Sequence, residues 1–126
     1  MKEVTAIIRI NMMNKTKKAL AEAGVWSMTA GPALGRGKGI VDMELLKGVE
    51  KGYEEAIAQL GQSGRLIPKR LLFLVLPNNL VDKAVKTIMK VNKTGKSGDG
   101  VIYITPMADS INVRTGESGD AVLDEG

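Results

Sequence analysis

Hydrophobic and polar positions divide the first third of the chain into a strand, a helix and a second strand. In the first ten residues apolar side chains alternate with more polar ones, at Val4, Ala6, Ile8 and Ile10. This period of two predicts a half-buried strand. The segment "KTKKALAEA" that follows has a helical pattern, with Asn11 or Asn14 as its expected N-cap and Gly24 as its end. "VWSMTAGPAL" then predicts a second strand, weakened near its end by Gly31 and Pro32.

A second strand–helix–strand pattern occupies the later part of the chain. "RLLFLVL" (Arg70 to Leu76) is a continuous apolar run before Pro77, which is typical of a strand covered on both faces. Asn78 or Asn79 is the expected cap of a helix that ends near Asn92. Its predicted apolar face consists of Val81, Val85, Ile88 and Met89. The strand "VIYIT" and a short extended tail, "SINVRTGE", come after it.

The order β-α-β, a long gap and β-α-β predicts an α+β, ferredoxin-like fold, in which two helices cover one face of an antiparallel sheet. At 126 residues the chain fits a single domain, residues 1–126, with a tail of about residues 107–126. The gap from about residue 36 to 66 is unusual, because connections beyond about 12–15 residues are usually functional or disordered.

The long connection has a helical pattern of its own. Its apolar residues recur at helical spacing, at Leu45, Val49, Tyr53, Ala56, Ile57 and Leu60. Lysines and glutamates fill the positions between them, and "GRGKG" and "GQSGR" flank the segment. Two interpretations are open: an extra helix packed on its own subunit, or an arm that docks its apolar stripe in a groove of a partner. The glycine-rich flanks favour the arm.

Composition excludes several classes of function. The chain has no cysteine and no histidine, which removes disulfides, thiolate nucleophiles, sulfur-ligated metals and the commonest general base. No apolar run approaches the roughly 18 residues of a membrane span, and no secretory signal is recognisable, so we expect a cytoplasmic protein. The charge of +4 is mild and aromatic residues make up 3%, too few for a nucleic-acid stacking surface. We expect neither an enzyme nor a nucleic-acid-binding protein.

Four short segments place cations beside glycine or proline at strand ends. They are "GRGKG" (35–39), "PKR" (68–70), "TGKSGDG" (94–100) and "VRTGE" (113–117). Glycines permit positive φ and let backbone N–H groups form an anion-binding concavity. Lys38, Lys69, Lys96 and Arg114 could neutralise phosphate or carboxylate oxygens. Each segment alone is a weak signal, and an isolated "TGKSGDG" is more often a plain turn.

Together these segments resemble the PII signal-transduction family. "KTGKSGDGVIYITP" is similar to the nucleotide-binding B-loop and the strand after it, and "VRTGE" to the C-terminal signature. "AIIR" and "GVWSMT" match the first strand and the approach to the second. "LGRGKG" opens, and "LIPKR" closes, the segment called the T-loop in this family. The resemblance covers essentially the whole chain and is greatest to the second of two paralogues encoded beside nitrogenase in methanogenic archaea.

The resemblance implies a trimer with ATP or ADP in clefts between subunits and 2-oxoglutarate beside ATP and its Mg²⁺. These are effectors, not catalytic cofactors, and no residue is assigned as a direct metal ligand. The residues implied to bind nucleotide are Ile7, Thr29, Gly35, Arg36, Val75, Thr94, Gly98, Asp99, Gly100 and, from the adjacent chain, Arg114. Those implied to bind 2-oxoglutarate are Gly37, Lys38 and Lys69. The T-loop residues expected to contact a partner are Leu45, Val49, Tyr53 and Ile57.

Three positions depart from the family pattern. Val101 stands where a Lys or Arg usually follows GDG, and Asn112 stands where a second arginine usually precedes Arg114. Gly37 replaces a glutamine that helps to hold Mg²⁺ and 2-oxoglutarate. The loss of two cationic phosphate contacts, at about 1.5–3 kcal/mol each, would weaken ATP binding by orders of magnitude. Because each site is shared between subunits, a homotrimer and a mixed oligomer with a PII paralogue both remain open.

The function implied is a nitrogen regulatory protein that senses 2-oxoglutarate and ATP/ADP and inhibits dinitrogenase through its extended T-loop. The alternative is control of an ammonium channel or of another nitrogen-assimilation enzyme such as glutamine synthetase. Only a channel would bring the protein to a membrane. Channel plugging needs an arginine at the tip of a slim loop, and residues 44–60 contain none.

Overall fold

The computed structural model describes residues 1–36 and 66–124. The first range contains β1 (Lys2–Ile8), a 3₁₀ turn (Ile10–Met12), α1 (Met13–Glu22) and β2 (Thr29–Gly35). The second range contains β3 (Ile67–Leu76), α2 (Asn78–Asn92), β4 (Val101–Pro106) and a second 3₁₀ helix (Gly119–Val122). No helix of these two ranges is long and apolar enough to cross a membrane.

The four strands of the described ranges form one antiparallel sheet in the order β2-β3-β1-β4. β1 is central and pairs with β3 and β4, so that Val4 lies opposite both Leu74 and Ile104. β2 extends the sheet at the other edge by pairing with β3. The two helices pack against each other, and α2 also contacts β1 and β3. This is the ferredoxin-like α+β arrangement that the element order predicts.

The core lies between one face of the sheet and the helices. It consists of alternate strand residues and the inner helix positions, chiefly Val4, Ala6, Ile8, Leu20, Val25, Leu72, Leu74, Leu76, Leu80, Val81, Ala84 and Ile88. Because successive strand residues point to opposite faces, Ile7, Leu71, Phe73 and Val75 belong to the other face, where they are half-buried. Among the described residues, the prediction that β3 is covered on both faces therefore holds for only one face.

The start of α1 differs from the prediction, whereas its end does not. Ile10 is not in the strand but begins the 3₁₀ turn and is 44% exposed. Neither Asn11 nor Asn14 caps the helix, because the N-cap is Met12 and no side chain bonds the free N–H groups there. The 3₁₀ turn instead leads the backbone directly into the helix. Gly24 ends α1 at a φ of 89°, as predicted.

The N-cap of α2 lies one residue before the first of its two expected caps. Pro77, in an extended conformation, is the N-cap, and its carbonyl oxygen accepts a hydrogen bond from Leu80 N at 3.0 Å. Asn78 and Asn79 are therefore helical residues and not caps. The buried face of the helix consists of Leu80, Val81, Ala84, Ile88 and Asn92. The predicted apolar face of α2 was wrong in part, because it included Met89, which is 53% exposed.

Two segments predicted to be extended are held by local hydrogen bonds instead. Strand pairing in β2 begins only at Thr29, whereas Val25 N closes the end of α1 by donating to Leu20 O at 2.8 Å. The "SINVRTGE" segment turns back on itself through an isolated bridge between Ile111 and Ser118. Its prediction as an extended tail was wrong.

The two helices share one buried polar contact. Asn92 Nδ2 donates to Thr16 Oγ1 at 3.0 Å and to Ile88 O at 2.9 Å, and Thr16 Oγ1 donates to Met12 O at 2.7 Å. Thr16 and Asn92 are almost completely buried, and Asn92 Oδ1 has no partner among the described residues. A buried polar pair of this kind fixes the relative position of two helices, because separating it from water is costly unless its bonds are made.

We predict that Thr16→Val lowers the free energy of unfolding by about 1–3 kcal/mol, because it leaves Asn92 Nδ2 without one of its two acceptors. Urea denaturation measures this loss. Thr87→Val is the matched control, since its hydroxyl bonds only Lys83 O in an exposed setting, and we expect a change within about 0.5 kcal/mol. Adding Asn92→Leu to Thr16→Val should recover much of the loss. Equal stability of the two threonine variants would contradict the account.

Candidate functional site

The loop between α2 and β4 depends on three glycines in the left-handed region. Gly95, Gly98 and Gly100 have φ values of 84°, 92° and 123°. A Cβ atom on Gly100 would lie 2.2 Å from Ile7 O, which is closer than real Cβ atoms approach backbone. The "TGKSGDG" segment can therefore fold against the end of β1 only with glycine at position 100.

The carboxylate of Asp99 organises this loop. Its Oδ2 accepts hydrogen bonds from Thr94 N at 2.8 Å and Gly95 N at 3.0 Å. Its Oδ1 accepts from the hydroxyl of Thr94 and from Arg9 Nη1, the latter at 2.7 Å. The hydroxyl of Thr94, then its N–H, and more weakly Arg9 and Gly95 N hold the pKa of Asp99 well below the usual value of 3.8. Asp99 therefore closes the loop as an anion.

Two cations flank Gly98 in the same loop. Arg9 Nη2 donates to Ser97 O at 3.0 Å, and Lys69 Nζ donates to Gly98 O at 3.2 Å. A Cβ on Gly98 would lie 3.4 Å from Arg9 Nη2 and 3.6 Å from Lys69 Nζ, so both cations approach the backbone closely. Asp99 balances one of the two positive charges. The remaining charge and the partly exposed backbone of Gly98 suit a carboxylate or phosphate oxygen.

The structure brings together five of the residues assigned to effectors. Lys69 bonds Gly98, Thr94 bonds Asp99, and Gly100 directly follows Asp99 in the same loop. Two more lie at its border. Ile7 O faces Gly100, and a Cβ on Gly35 would lie 4.0 Å from Lys69 Cγ.

The other assigned residues belong to other segments of the chain or lie outside the described residues. Thr29 pairs with Phe73 and Val75 pairs with Glu3, so both belong to the sheet face opposite the helices, as Ile7 does. Arg36 directly follows β2, where the described range ends. Arg114 lies in the turn after β4. Gly37, Lys38 and the four predicted T-loop contacts (Leu45, Val49, Tyr53 and Ile57) lie outside the described residues.

A cavity of about 470 Å³ opens between α2 and β4. Asp99 and Gly100 line it, together with mainly apolar side chains that include Ile88, Ile102 and Ile104. It is on the helix side of the sheet, because Ile102 and Ile104 share the face of buried β1 residues. The cavity is therefore not where Ile7, Thr29 and Val75 lie, and we assign the candidate site to the cation-flanked glycine loop.

Arg9 is a site residue that the sequence interpretation missed. The register of β1 and β4 pairs Ile7 with Val101, and two further residues along the same antiparallel register place Arg9 opposite Asp99. An opposite-charge pair at that spacing was the available signal. It required the strand register, which "AIIR" and "GDGVIYI" do not specify by themselves.

Asn112 also has a role that its departure from the family pattern did not reveal. Its Oδ1 accepts hydrogen bonds from Arg114 N at 2.9 Å and Thr115 N at 3.2 Å. Its backbone N donates to Glu117 O, and Gly116 N donates to Asn112 O, both at 2.8 Å. Asn112 thus supplies no cation but builds the turn that presents Arg114.

Comparison with known proteins identifies the family. The sequence profile of the family described as "Nitrogen regulatory protein P-II" matches residues 1–117. The chain belongs to the PII family. PII proteins are trimeric regulators of nitrogen-related targets and not catalysts.

Similar PII proteins come from both methanogens and bacteria. The chain is 45% identical to "Nitrogen fixation nifHD region GlnB-like protein 2" of Methanobacterium ivanovii, across 98% of this chain and 100% of that protein. It is 44% identical to the protein of the same name from Methanococcus maripaludis, with the same coverage. "Nitrogen regulatory protein P-II 1" of Escherichia coli (strain K12) is 34% identical, again across 98% and 100%. The predicted resemblance to the second nitrogenase-associated paralogue of methanogens is confirmed.

We predict that Asp99 remains ionised in the folded protein well below pH 3.8. Its folded-state pKa is lowered, so its contribution to stability is complete above the unfolded-state pKa and is lost only as the pH falls through the folded one. An NMR titration of the Asp99 side-chain carboxyl carbon measures this pKa. Thr94→Val, which removes the hydroxyl donor, should raise it, whereas the control Thr87→Val should not. Titration of Asp99 near pH 3.8 in the unaltered protein would contradict the site geometry.

Proposed function

We propose that this PII protein senses 2-oxoglutarate together with ATP or ADP and inhibits dinitrogenase through the segment between β2 and β3. The observation that carries the proposal is the hydrogen bond from Lys69 Nζ to Gly98 O. It links the start of β3, where the T-loop segment ends, to the glycine loop. A ligand that engages both groups would act on the loop and on the base of the T-loop segment together.

The residues present suit an anionic effector. Lys69 donates only to a neutral carbonyl oxygen in the described structure, and a carboxylate would be a stronger acceptor for its ammonium group. Gly98, with positive φ and no Cβ, leaves its backbone open to an anion between Arg9 and Lys69. These features support 2-oxoglutarate beside Lys69 and nucleotide phosphates along the loop. Mg²⁺ would be held mainly by oxygens of the two effectors.

The effect on the T-loop segment follows from the position of Lys69 in the sheet. Lys69 pairs with Ala33, and the ladder ends two residues further on, where Gly35 pairs with Ile67. A carboxylate that draws Lys69 Nζ from Gly98 O would change the contacts of β3 at the base of the segment. Inhibition would be relieved if the effectors bind the released arrangement more tightly than the docked one.

The target is inferred from the names of the relatives. The methanogen relatives are named for the nitrogen fixation nifHD region, and the similarity extends along the whole chain. Dinitrogenase is therefore the target that we propose. An assay of acetylene reduction by purified dinitrogenase tests it, with the unaltered chain, with the chain whose residues 40–62 are replaced by a short Gly-Ser linker, and with and without a co-encoded PII paralogue. Equal inhibition by both forms would refute action through this segment.

We predict that Lys69→Met weakens the response to 2-oxoglutarate by about tenfold or more, because it removes one hydrogen bond between charged groups. ATP should still bind, since the glycine loop and Asp99 remain. Calorimetry with ATP, with and without 2-oxoglutarate, measures the response. Lys83→Met is the control, because it removes the same charge from an exposed position of α2. Undiminished enhancement of ATP binding by 2-oxoglutarate in Lys69→Met would contradict the assignment.

A further inference from the structure

A single carboxylate ties the end of the described chain to the segment that leads into β2. Asp124 Oδ2 accepts hydrogen bonds from Trp26 N and Ser27 N, both at 2.9 Å. Asp124 Oδ1 accepts a third from Ser27 Oγ, also at 2.9 Å. Three donors from two adjacent residues thus converge on one side chain almost a hundred positions away. We call this contact the Asp124 clasp.

The clasp holds two residues, Trp26 and Ser27, that lie between the end of α1 and the first paired residue of β2. Val25 N belongs to the end of α1, and pairing with β3 starts at Thr29. Between them, the side chain of Trp26 is 71% exposed and Ser27 is exposed, so packing does not hold these two residues. The clasp satisfies their N–H groups and thereby fixes the backbone immediately before Thr29.

A hydrogen-bonded path connects the clasp to the turn that carries Arg114. The turn is closed by Ser110, whose carbonyl oxygen accepts from Gly119 N at 2.9 Å and whose hydroxyl donates to Gly119 O at 3.0 Å. The 3₁₀ helix begins at Gly119, and Leu123 N donates to Asp120 O at 3.0 Å. Asp124 follows directly. The clasp therefore joins the turn of Arg114 to the start of the strand of Thr29.

We propose that Asp124 is a positioning residue of the nucleotide site. Through its clasp it fixes the backbone before Thr29 and the turn that presents Arg114, which are two of the parts of this chain assigned to nucleotide outside the glycine loop. By that assignment, Arg114 reaches the site of the adjacent chain. That nucleotide binds here is part of the proposed function, and the inference rests on it. The clasp itself is independent of that function, because it is defined by the three hydrogen bonds of Asp124. Two sites joined by a rigid contact share a coupling free energy, so breaking the clasp weakens nucleotide binding and bound nucleotide strengthens the clasp.

The first test examines the clasp without nucleotide. Amide hydrogen exchange of Trp26 and Ser27, measured by NMR, should accelerate at least about fivefold in Asp124→Ala, because both N–H groups lose their acceptor. Asp120→Ala is the matched control, since it removes a carboxylate from the same segment that makes no bond to Trp26 or Ser27. Far-ultraviolet circular dichroism and the Tm should stay close to those of the unaltered chain. Unchanged exchange in Asp124→Ala would overturn the clasp.

The second test measures ATP affinity by calorimetry in the same variants. Asp124→Ala should bind ATP at least about fivefold more weakly, the lower end of ordinary coupling between sites, and Asp120→Ala should bind as the unaltered chain does. Asp124→Asn should fall between them, because its amide oxygen still accepts but carries no charge. Trp26 is the only tryptophan, so its fluorescence should change on ATP addition, and less so in Asp124→Ala.

The outcomes separate the inference from the proposed function. Faster exchange with unchanged ATP affinity in Asp124→Ala would overturn the positioning role while leaving the proposed function intact. Failure of the unaltered chain to bind ATP, alone or with its paralogue, would overturn the proposed function and the positioning role together. The exchange of Trp26 and Ser27 would still decide whether the clasp exists. Weaker ATP binding in Asp124→Ala alone would support the proposal.

Discussion

The candidate site depends on one carboxylate. Asp99 collects four hydrogen bonds from Thr94, Gly95 and Arg9, and these bonds close the glycine loop against the end of β1. With Asp99 engaged in this way, Gly98 is held between two cations. A loop rich in glycine has a large conformational entropy to lose on folding, and a buttressing anion removes that freedom before any ligand arrives. Asp99, which the family resemblance assigns to nucleotide binding, thus has a structural role in the loop that does not depend on a ligand.

The contact of Lys69 with Gly98 gives this loop a connection to the rest of the molecule. Lys69 belongs to β3, and β3 carries the end of the segment that follows β2. Lys69 therefore connects the glycine loop to the start of β3, and under the proposed function this contact would link effector binding to the T-loop segment. Because Val101 replaces a Lys or Arg of the family and Asn112 replaces an arginine, a phosphate bound as proposed would meet fewer cations. The side chain of Asn112 instead builds the turn that holds Arg114.

Much of the fold was predictable from sequence, because hydrophobic period and glycine position specify strands and helices directly. The order of elements, the end of α1 at Gly24 and the strand "VIYIT", observed as Val101–Pro106, are confirmed. Helix starts were wrong, since a 3₁₀ turn and Pro77 replaced the asparagine caps. Arg9 was missed because its role requires the register between β1 and β4. The clasp of Asp124 could not be predicted from the sequence, because a contact across almost a hundred positions leaves no local pattern.

We propose that the cation-flanked glycine loop binds nucleotide and 2-oxoglutarate cooperatively. Calorimetric titration of ATP into the pure protein, without and with 2-oxoglutarate and then after addition of the co-encoded PII paralogue, tests it most directly. The account predicts measurable ATP binding that becomes tighter when 2-oxoglutarate is present, in the pure protein or in the mixed oligomer. No heat of binding in any of these combinations would contradict it.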